Sequence, residues 1–203
     1  MAVGPDPVQR QQQTTSAHGG HRSGALEPRL ARPDQGGLID QIGQAQDDPP
    51  VGLVIVGWER LDPPGGPVAA PSEEPTYDQL VERSVGFVVA ACAGRSDRLL
   101  AAAETEVAIV RSPLSGPATA ESLAHHVAKR LDVELDRLAI SADRPAARWA
   151  IGVAVGRRDD RAVDLLRYAE AALDDAWLLG GRRLVAFDDG DRDLLDRPPT
   201  LDD

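Results

Sequence analysis

Two kinds of hydrophobic pattern follow one another along the middle of the chain. A continuous, largely β-branched run at residues 51–56 is typical of a strand that is buried on both faces. Residues 149–155 read WAIGVAV and predict a second buried strand, and residues 183–187 predict a last one. These runs indicate a sheet that is covered on both sides.

Between the strands, apolar residues recur three or four positions apart, as one face of a helix requires. Residues 85–89 alone would also fit a strand, but they continue the spacing that begins at Val81, so we favour a helix. Asp159 or Asp160 is a candidate N-cap for the last helix, and Gly180 is a candidate stop. The predicted helix faces are Leu38, Ile39, Ile42 and Ala45; Val81, Val85, Val88 and Cys92; Leu123, Val127 and Leu131; and Ala162, Leu165, Leu166, Ala169, Leu173 and Ala176.

Residues 98–103 and 106–111 are two short apolar runs separated by two residues, which is the layout of a β-hairpin. The connecting pair, Glu104 and Thr105, lacks the glycine or asparagine that two-residue hairpin turns favour. The predicted order is helix, strand, helix, hairpin, helix, strand, helix, strand. This order indicates an α/β domain.

Three segments lack such patterns. Residues 1–37 are rich in Gln, Pro, Gly and Ser, and residues 189–203 are acidic. Neither segment can bury enough apolar surface to offset the entropy of ordering its backbone, about 1–2 kcal/mol per residue. We therefore predict a disordered tail at each end of a domain at residues 38–188. Residues 62–75, rich in proline and glycine, are predicted to form a loop.

Composition narrows the class of function. The 203 residues carry a formal net charge of −11 and a single lysine, Lys129, which argues against a nucleic-acid partner. No run approaches the roughly 18–20 apolar residues of a membrane helix, and the first residues lack the apolar segment of a secretory signal. We expect a cytoplasmic protein with no membrane contact. The single cysteine, Cys92, excludes an internal disulfide.

Residues 149–188 carry a recognisable combination: WAIGVAV, a spacer, and then AVDLLRYAEAALDDAWLLGGRRLVAFD. This segment resembles the last third of the GGDEF domain, the diguanylate cyclase module, where a strand precedes a helix of the type LLxxADxALYxAK. Residues 97–107 align without a gap to the family's DxVARxGGDEF segment, and the strand at residues 53–61 falls in the region of its LLLDxDxFK strand. The resemblance implies a palm-like α/β sandwich with a central, mostly antiparallel sheet of about five strands flanked by helices.

The GGDEF family joins two GTP molecules into cyclic di-GMP across a head-to-head dimer. Carboxylate-bound metal ions assist attack of a 3′-hydroxyl on an α-phosphate, and the two signature glycines let the backbone approach the phosphates. The signature positions here read Ala103, Glu104, Thr105, Glu106 and Val107. Both glycines and the first acid are replaced, so only the second acid is retained, as Glu106.

Other positions that the resemblance marks as functional are also changed. The first metal-ligating Asp corresponds to Gly57 and the second Asp to Glu59, while the guanine-binding Asp has a counterpart in Asp78. Trp177 stands where a Lys contacts the triphosphate, and we expect it to pack in that end of the old cleft. Gly181 stands where the family has an Arg, Leu61 and Asp62 stand where it has a Phe-Lys pair, and Gly65 stands where it has the guanine-reading Asn. The inhibitory Arg-x-x-Asp motif corresponds to Gly94-Arg95-Ser96-Asp97, in which the Arg of this chain is one place out of register.

Removing one well-placed electrostatic group typically lowers an enzymatic rate about 10²–10³-fold, and here several are missing together. We therefore predict a degenerate GGDEF-like domain that is not an enzyme and has no resident cofactor or metal. It would serve as a regulatory or protein-interaction module in bacterial cyclic di-GMP-type signalling, with a protein partner or a second copy. Two alternatives stay open: a sensor that binds GTP without turnover, with Mg²⁺ accompanying the nucleotide at Glu59, Asp78 and Glu106, and, less favoured, a residual diguanylate cyclase.

Overall fold

A five-stranded sheet with helices on both faces makes up the described part of the chain. The structure is a computed structural model, and it describes residues 35–46, 50–61, 75–116, 118–187 and 190. The elements follow the predicted order. They are α1 (Gln35–Ala45), β1 (Val51–Trp58), α2 (Tyr77–Cys92), β2 (Arg98–Ala103), β3 (Glu106–Arg111), α3 (Ala118–Ala142), β4 (Trp149–Gly156), α4 (Ala162–Leu178) and β5 (Arg183–Ala186).

The strands lie in the order β2-β3-β1-β4-β5. β1 pairs antiparallel with β3 and β4, β2 pairs antiparallel with β3, and only the β4–β5 pair is parallel. Every residue of the central strand β1 is buried, which explains its continuous apolar run. The prediction of a mostly antiparallel sheet of about five strands is confirmed.

Each face of the sheet has its own core. Side chains of a strand alternate between faces, so Val54 and Val56 pack with α2 and α3, whereas Leu53 and Ile55 pack with α1 and α4. Helix α4 lies unusually close to β4 at Gly152. A Cβ added there would lie 2.2 Å from the Ala169 carbonyl oxygen, so only glycine fits at this position. None of the described helices has the length and apolar character needed to cross a membrane.

Two boundaries differ from the sequence predictions. Helix α1 begins at Gln35, so residues 35–37 belong to a helix and not to the tail. The predicted cap of α4 is wrong: the N-cap is Arg161, and its side chain makes no capping hydrogen bond. The Asp160 carboxylate instead accepts from the Arg157 backbone N–H at 2.6 Å, which closes the preceding turn.

The stop of α4 at a glycine is confirmed. Gly180 and Gly181 have φ angles of 100° and 73°, a region that glycine enters without steric cost. The predicted tails at residues 1–34 and 191–203 lie outside the described residues, as does residue 189. The predicted loop at residues 62–74 does so too.

Candidate functional site

The sheet register brings together the two segments that the sequence marked as functional. Gly57 of β1 lies opposite Glu106 of β3 on one side and Ala150 of β4 on the other. The Trp58 backbone N–H donates to the Thr105 carbonyl oxygen at 3.1 Å, which fixes the hairpin turn against the end of β1. The positions equivalent to the family's metal-binding strand and signature are therefore neighbours.

The signature turn forms without glycine. Ala103 pairs directly with Glu106, and the ladder shifts register between Ala101 and Ala103, as in a β-bulge. Among the described residues, the non-glycine positions with positive φ are Asp143 and Arg182, so neither turn residue needs the left-handed region. Glu104 extends outward to Arg60 at 2.6 Å in an exposed ion pair, which contributes little to stability.

Trp177 occupies the space beside Gly57. A Cβ added at Gly57 would lie 3.4 Å from Trp177 Nε1 and 3.5 Å from Leu173 Cδ1. These are ordinary van der Waals distances, so Trp177 and Leu173 directly border the position where the resemblance places a carboxylate. The side chain expected at the phosphate end of the cleft is thus packed against the position of the lost metal ligand.

The opposite edge of the indole meets the turn after α4. A Cβ added at Gly181 would lie 3.1 Å from Trp177 Cζ3, closer than such contacts normally allow. The next residue, Arg182, has a φ of 51° and donates to Asp136 of α3 at 2.7 Å, which ties the turn to that helix. Gly57 and Gly181, two of the glycines that stand where the resemblance expects larger side chains, therefore both border Trp177.

Glu59 is fully engaged by an arginine. Arg148 donates through Nε and Nη2 to the two Glu59 carboxylate oxygens, each at 2.6 Å. The Glu59 backbone N–H also donates to the Arg148 carbonyl oxygen at 3.0 Å. Hydrogen bonds from Arg148 lower the pKa of Glu59, despite some desolvation. This carboxylate is charged, but both of its oxygens already have a partner.

Glu106 lies in an acidic environment. Burial raises its pKa first, and the charges of Glu170 and Asp174 on α4 raise it further. Burial and Asp174 likewise raise the pKa of Glu170. Within the described ranges, no group of three or more His, Cys, Asp or Glu residues has an arrangement that could hold a metal ion.

Asp78 lies in the first turn of α2, apart from this cluster. Its carboxylate accepts from the Leu61 backbone N–H at 3.0 Å, which pins the chain leaving β1 to the helix. The same helix start carries a capping box formed by Thr76 and Gln79. Asp62 and Gly65, which stand where the resemblance places a Lys and the guanine-reading Asn, lie outside the described residues.

The segment equivalent to the inhibitory motif is a structural turn. The Asp97 side chain is completely buried and receives two hydrogen bonds from Arg111, from Nε at 2.7 Å and from Nη2 at 2.5 Å. It also accepts from the Gly94 backbone N–H at 2.7 Å. Arg95 is exposed. Asp97 is thus committed to holding β3 and the start of β2 together.

Sequence reasoning missed three residues of this region. Arg148 lies 89 positions from its partner Glu59, and only the β1–β4 register places them together. Glu170 and Asp174 are four residues apart on α4, a spacing that puts both on one helix face and was a usable signal. Their placement beside Glu106 depends on how α4 packs on the sheet.

Solved structures to which the chain is similar identify its fold. No protein-family profile matches the sequence, and no curated protein sequence matches it. Among solved structures, the GGDEF domain of YfiN (TpbB) from Pseudomonas aeruginosa is similar with a TM-score of 0.63 and 14% identity, covering 83% of this chain and 97% of that domain. The active GGEEF domain of a diguanylate cyclase from Vibrio cholerae is similar with a TM-score of 0.58 and 14% identity, covering 78% of this chain and 99% of that domain.

A third neighbour is a larger protein. The diguanylate cyclase SiaD from Pseudomonas aeruginosa, solved in complex with its activator SiaC, is similar with a TM-score of 0.59 and 13% identity, covering 76% of this chain and 58% of SiaD. The chain therefore has the fold of GGDEF domains, and the fold that the sequence resemblance implied is confirmed.

Proposed function

We propose that this domain is a non-catalytic GGDEF-like module that acts in cyclic di-GMP-type signalling through protein contacts. The single observation that carries the proposal is the packing of Trp177 against Gly57 and Gly181. The space beside the first metal-ligand position is filled by an indole, which neither binds a metal ion nor neutralises a phosphate. An indole at this position reduces the space for the reacting end of a nucleotide, which supports the proposal.

Electrostatics support the same proposal. A triphosphate brought to this edge of the sheet would meet Glu106, with Glu170 and Asp174 next to it. The nearby arginines Arg60 and Arg148 are already paired with carboxylates. Bringing an anion next to unpaired like charges is unfavourable, and more so where burial lowers the effective dielectric constant. The site therefore disfavours GTP.

A role in protein contacts is supported by what has been kept. Both cores are complete, and the buried side chains on the two faces of the sheet are well packed, so the scaffold is intact where the reaction groups are lost. Among the structural neighbours, SiaD is solved in complex with its activator protein. We propose that this module likewise works by binding a protein partner or a second copy.

The test of inactivity is incubation of the purified chain with GTP and Mg²⁺ or Mn²⁺, followed by chromatography for cyclic di-GMP. The active Vibrio cholerae GGEEF domain serves as the positive control under identical conditions. We expect no product even after days. Product formation that disappears in a Glu106→Gln variant would overturn the proposal and establish a residual cyclase.

Calorimetric titration of GTP, with and without Mg²⁺, separates the interaction module from the nucleotide sensor. We expect no saturable heat up to millimolar GTP. The same titration is made with Trp177→Ala, which removes the indole beside Gly57. Leu178→Ala, one residue further along and largely exposed, is the matched control, so heat that appears only in Trp177→Ala is caused by loss of the indole. Saturable binding by the unmodified chain that an Asp78→Asn variant weakens would favour the sensor instead.

A further inference from the structure

A groove between α2 and α3 forms a second concave surface, on the opposite face of the sheet from Trp177. Its volume is about 350 Å³, and Phe87 and Val133 lie along it. These two side chains are 65% and 66% exposed. Large apolar side chains grouped in this way at a groove are typical of a docking surface.

The charge of this groove is opposite to that of the chain. Lys129 and Arg130 line it, and neither makes an ion pair within the described ranges. The acid at its edge, Glu134, is already paired with Arg137 at 2.7 Å. The groove is therefore locally basic in a chain with a net charge of −11.

The chain itself contains a segment of complementary chemistry. Residues 191–203 read DRDLLDRPPTLDD, in which Leu194 and Leu195 are flanked by Asp193 and Asp196. A leucine pair matches the apolar side chains of the groove, and the flanking carboxylates match Lys129 and Arg130.

The chain between Phe187 and Leu194 is long enough to pass over one helix. β5 is followed by Phe187, whose backbone N–H donates to the Val153 carbonyl oxygen at 2.8 Å, so the chain leaves the sheet beside β4. Helix α3 packs on β4, on β5 and on α2, so a chain that runs from this edge to the groove has to pass α3. Seven residues lead from Phe187 to Leu194 and span up to about 23–25 Å when extended, whereas a helix is about 10–12 Å across.

We propose that the groove between α2 and α3 is the docking site of residues 191–203 of the same chain, with Leu194 and Leu195 on Phe87 and Val133 and the adjacent aspartates on Lys129 and Arg130. This inference goes beyond the proposed function. It makes the acidic segment an internal competitor for a surface that would otherwise accept an acidic, leucine-containing partner. Its failure would leave the argument for catalytic inactivity untouched.

The experiment compares the full chain with a chain that ends at Gly190. A fluorescent peptide of residues 188–203 is titrated with each, and binding is followed by anisotropy. We expect saturable binding to the shortened chain and binding at least about tenfold weaker to the full chain, whose groove is already occupied. No saturable binding to the shortened chain, or equal binding to both chains, would overturn the proposal.

Variants of the shortened chain locate the site. Lys129→Glu with Arg130→Glu should weaken peptide binding about tenfold, since two attractive pairs become repulsive. The matched control, Arg158→Glu with Arg183→Glu, makes the same change of charge at exposed positions outside the groove and should leave the affinity within about twofold. An equal loss in both double variants would show nonspecific attraction and refute the assignment.

Three further measurements test the apolar contact and distinguish docking within one chain from docking on a second copy. A peptide carrying Leu194→Asp and Leu195→Asp is more acidic but should lose binding, because the apolar contact is removed; retained binding would contradict the proposal. Phe87→Ala should weaken binding about tenfold without lowering thermal stability, since the side chain is mostly exposed. Because the proposed docking is within one chain, light scattering should find that it does not make the full chain a dimer. A dimer that dissociates when residues 191–203 are removed would instead place the segment on a second copy and refute the proposal.

Discussion

Replacing Trp177 by alanine would remove the indole that lies between Gly57 and Gly181. If this side chain is packed into the old cleft, its loss leaves a cavity bordered by two glycines, neither of which has a side chain to fill it. If it is only a surface residue, its loss has little effect. The free energy of unfolding therefore tests directly whether Trp177 is packed between Gly57 and Gly181.

The magnitude follows from the contacts. Truncating a fully buried aromatic residue to alanine typically costs about 3–5 kcal/mol, through lost transfer energy and the cavity left behind. Trp177 is half-buried, and a Cβ placed at Gly181 or Gly57 would lie 3.1 Å or 3.4 Å from its ring, so both glycines border the indole closely. We expect a destabilisation of about 2–3 kcal/mol, or a Tm lowered by roughly 4–12 °C for a domain of this size.

The assay is urea unfolding followed by far-ultraviolet circular dichroism, which does not depend on tryptophan emission. Leu178→Ala is the matched control: the side chain is 84% exposed, so its loss should change the stability by less than about 0.5 kcal/mol. A Trp177→Ala variant as stable as Leu178→Ala would refute the reasoning, because the indole would then contribute nothing to the packing of this edge.

Two further predictions test the packing and the electrostatics of the same region. Gly152→Ala should destabilise the domain by about 3 kcal/mol or more in chemical unfolding, because its Cβ would lie 2.2 Å from the Ala169 carbonyl oxygen. The control is Gly86→Ala on α2, which has open space around it and should stabilise the domain by up to about 1 kcal/mol. Equal effects of the two variants would contradict the close approach of α4 to the sheet. The raised pKa of Glu106 means that the folded state keeps this proton to higher pH than the unfolded state, so its contribution to stability falls as the pH rises above its ordinary value of 4.5. Glu106→Gln should therefore be more stable than the parent at pH 7 and equal to it below about pH 4, and a less stable variant at pH 7 would show that the carboxylate has a favourable partner.

Much of the fold was predictable from the sequence, since the pattern of apolar residues reports local periodicity. The run of β1 and the face of α2 determined the type of these elements, because burial on two faces or on one leaves different spacings. Side-chain identity at the family's positions was also readable without coordinates, as at Gly57 and Trp177. The α4 cap was not, because Asp160 formed a local turn instead.

The sequence by itself determined which elements form and which residues stand at the positions that the GGDEF resemblance marks as functional. The tertiary structure decided what these side chains contact: Glu59 is paired with Arg148, Glu106 lies near the carboxylates of Glu170 and Asp174, and Trp177 borders Gly57. The physical reason is that these contacts join residues far apart in the chain. Their distances depend on which strands pair and on how closely α4 approaches the sheet, and the apolar pattern of one element does not identify its partner.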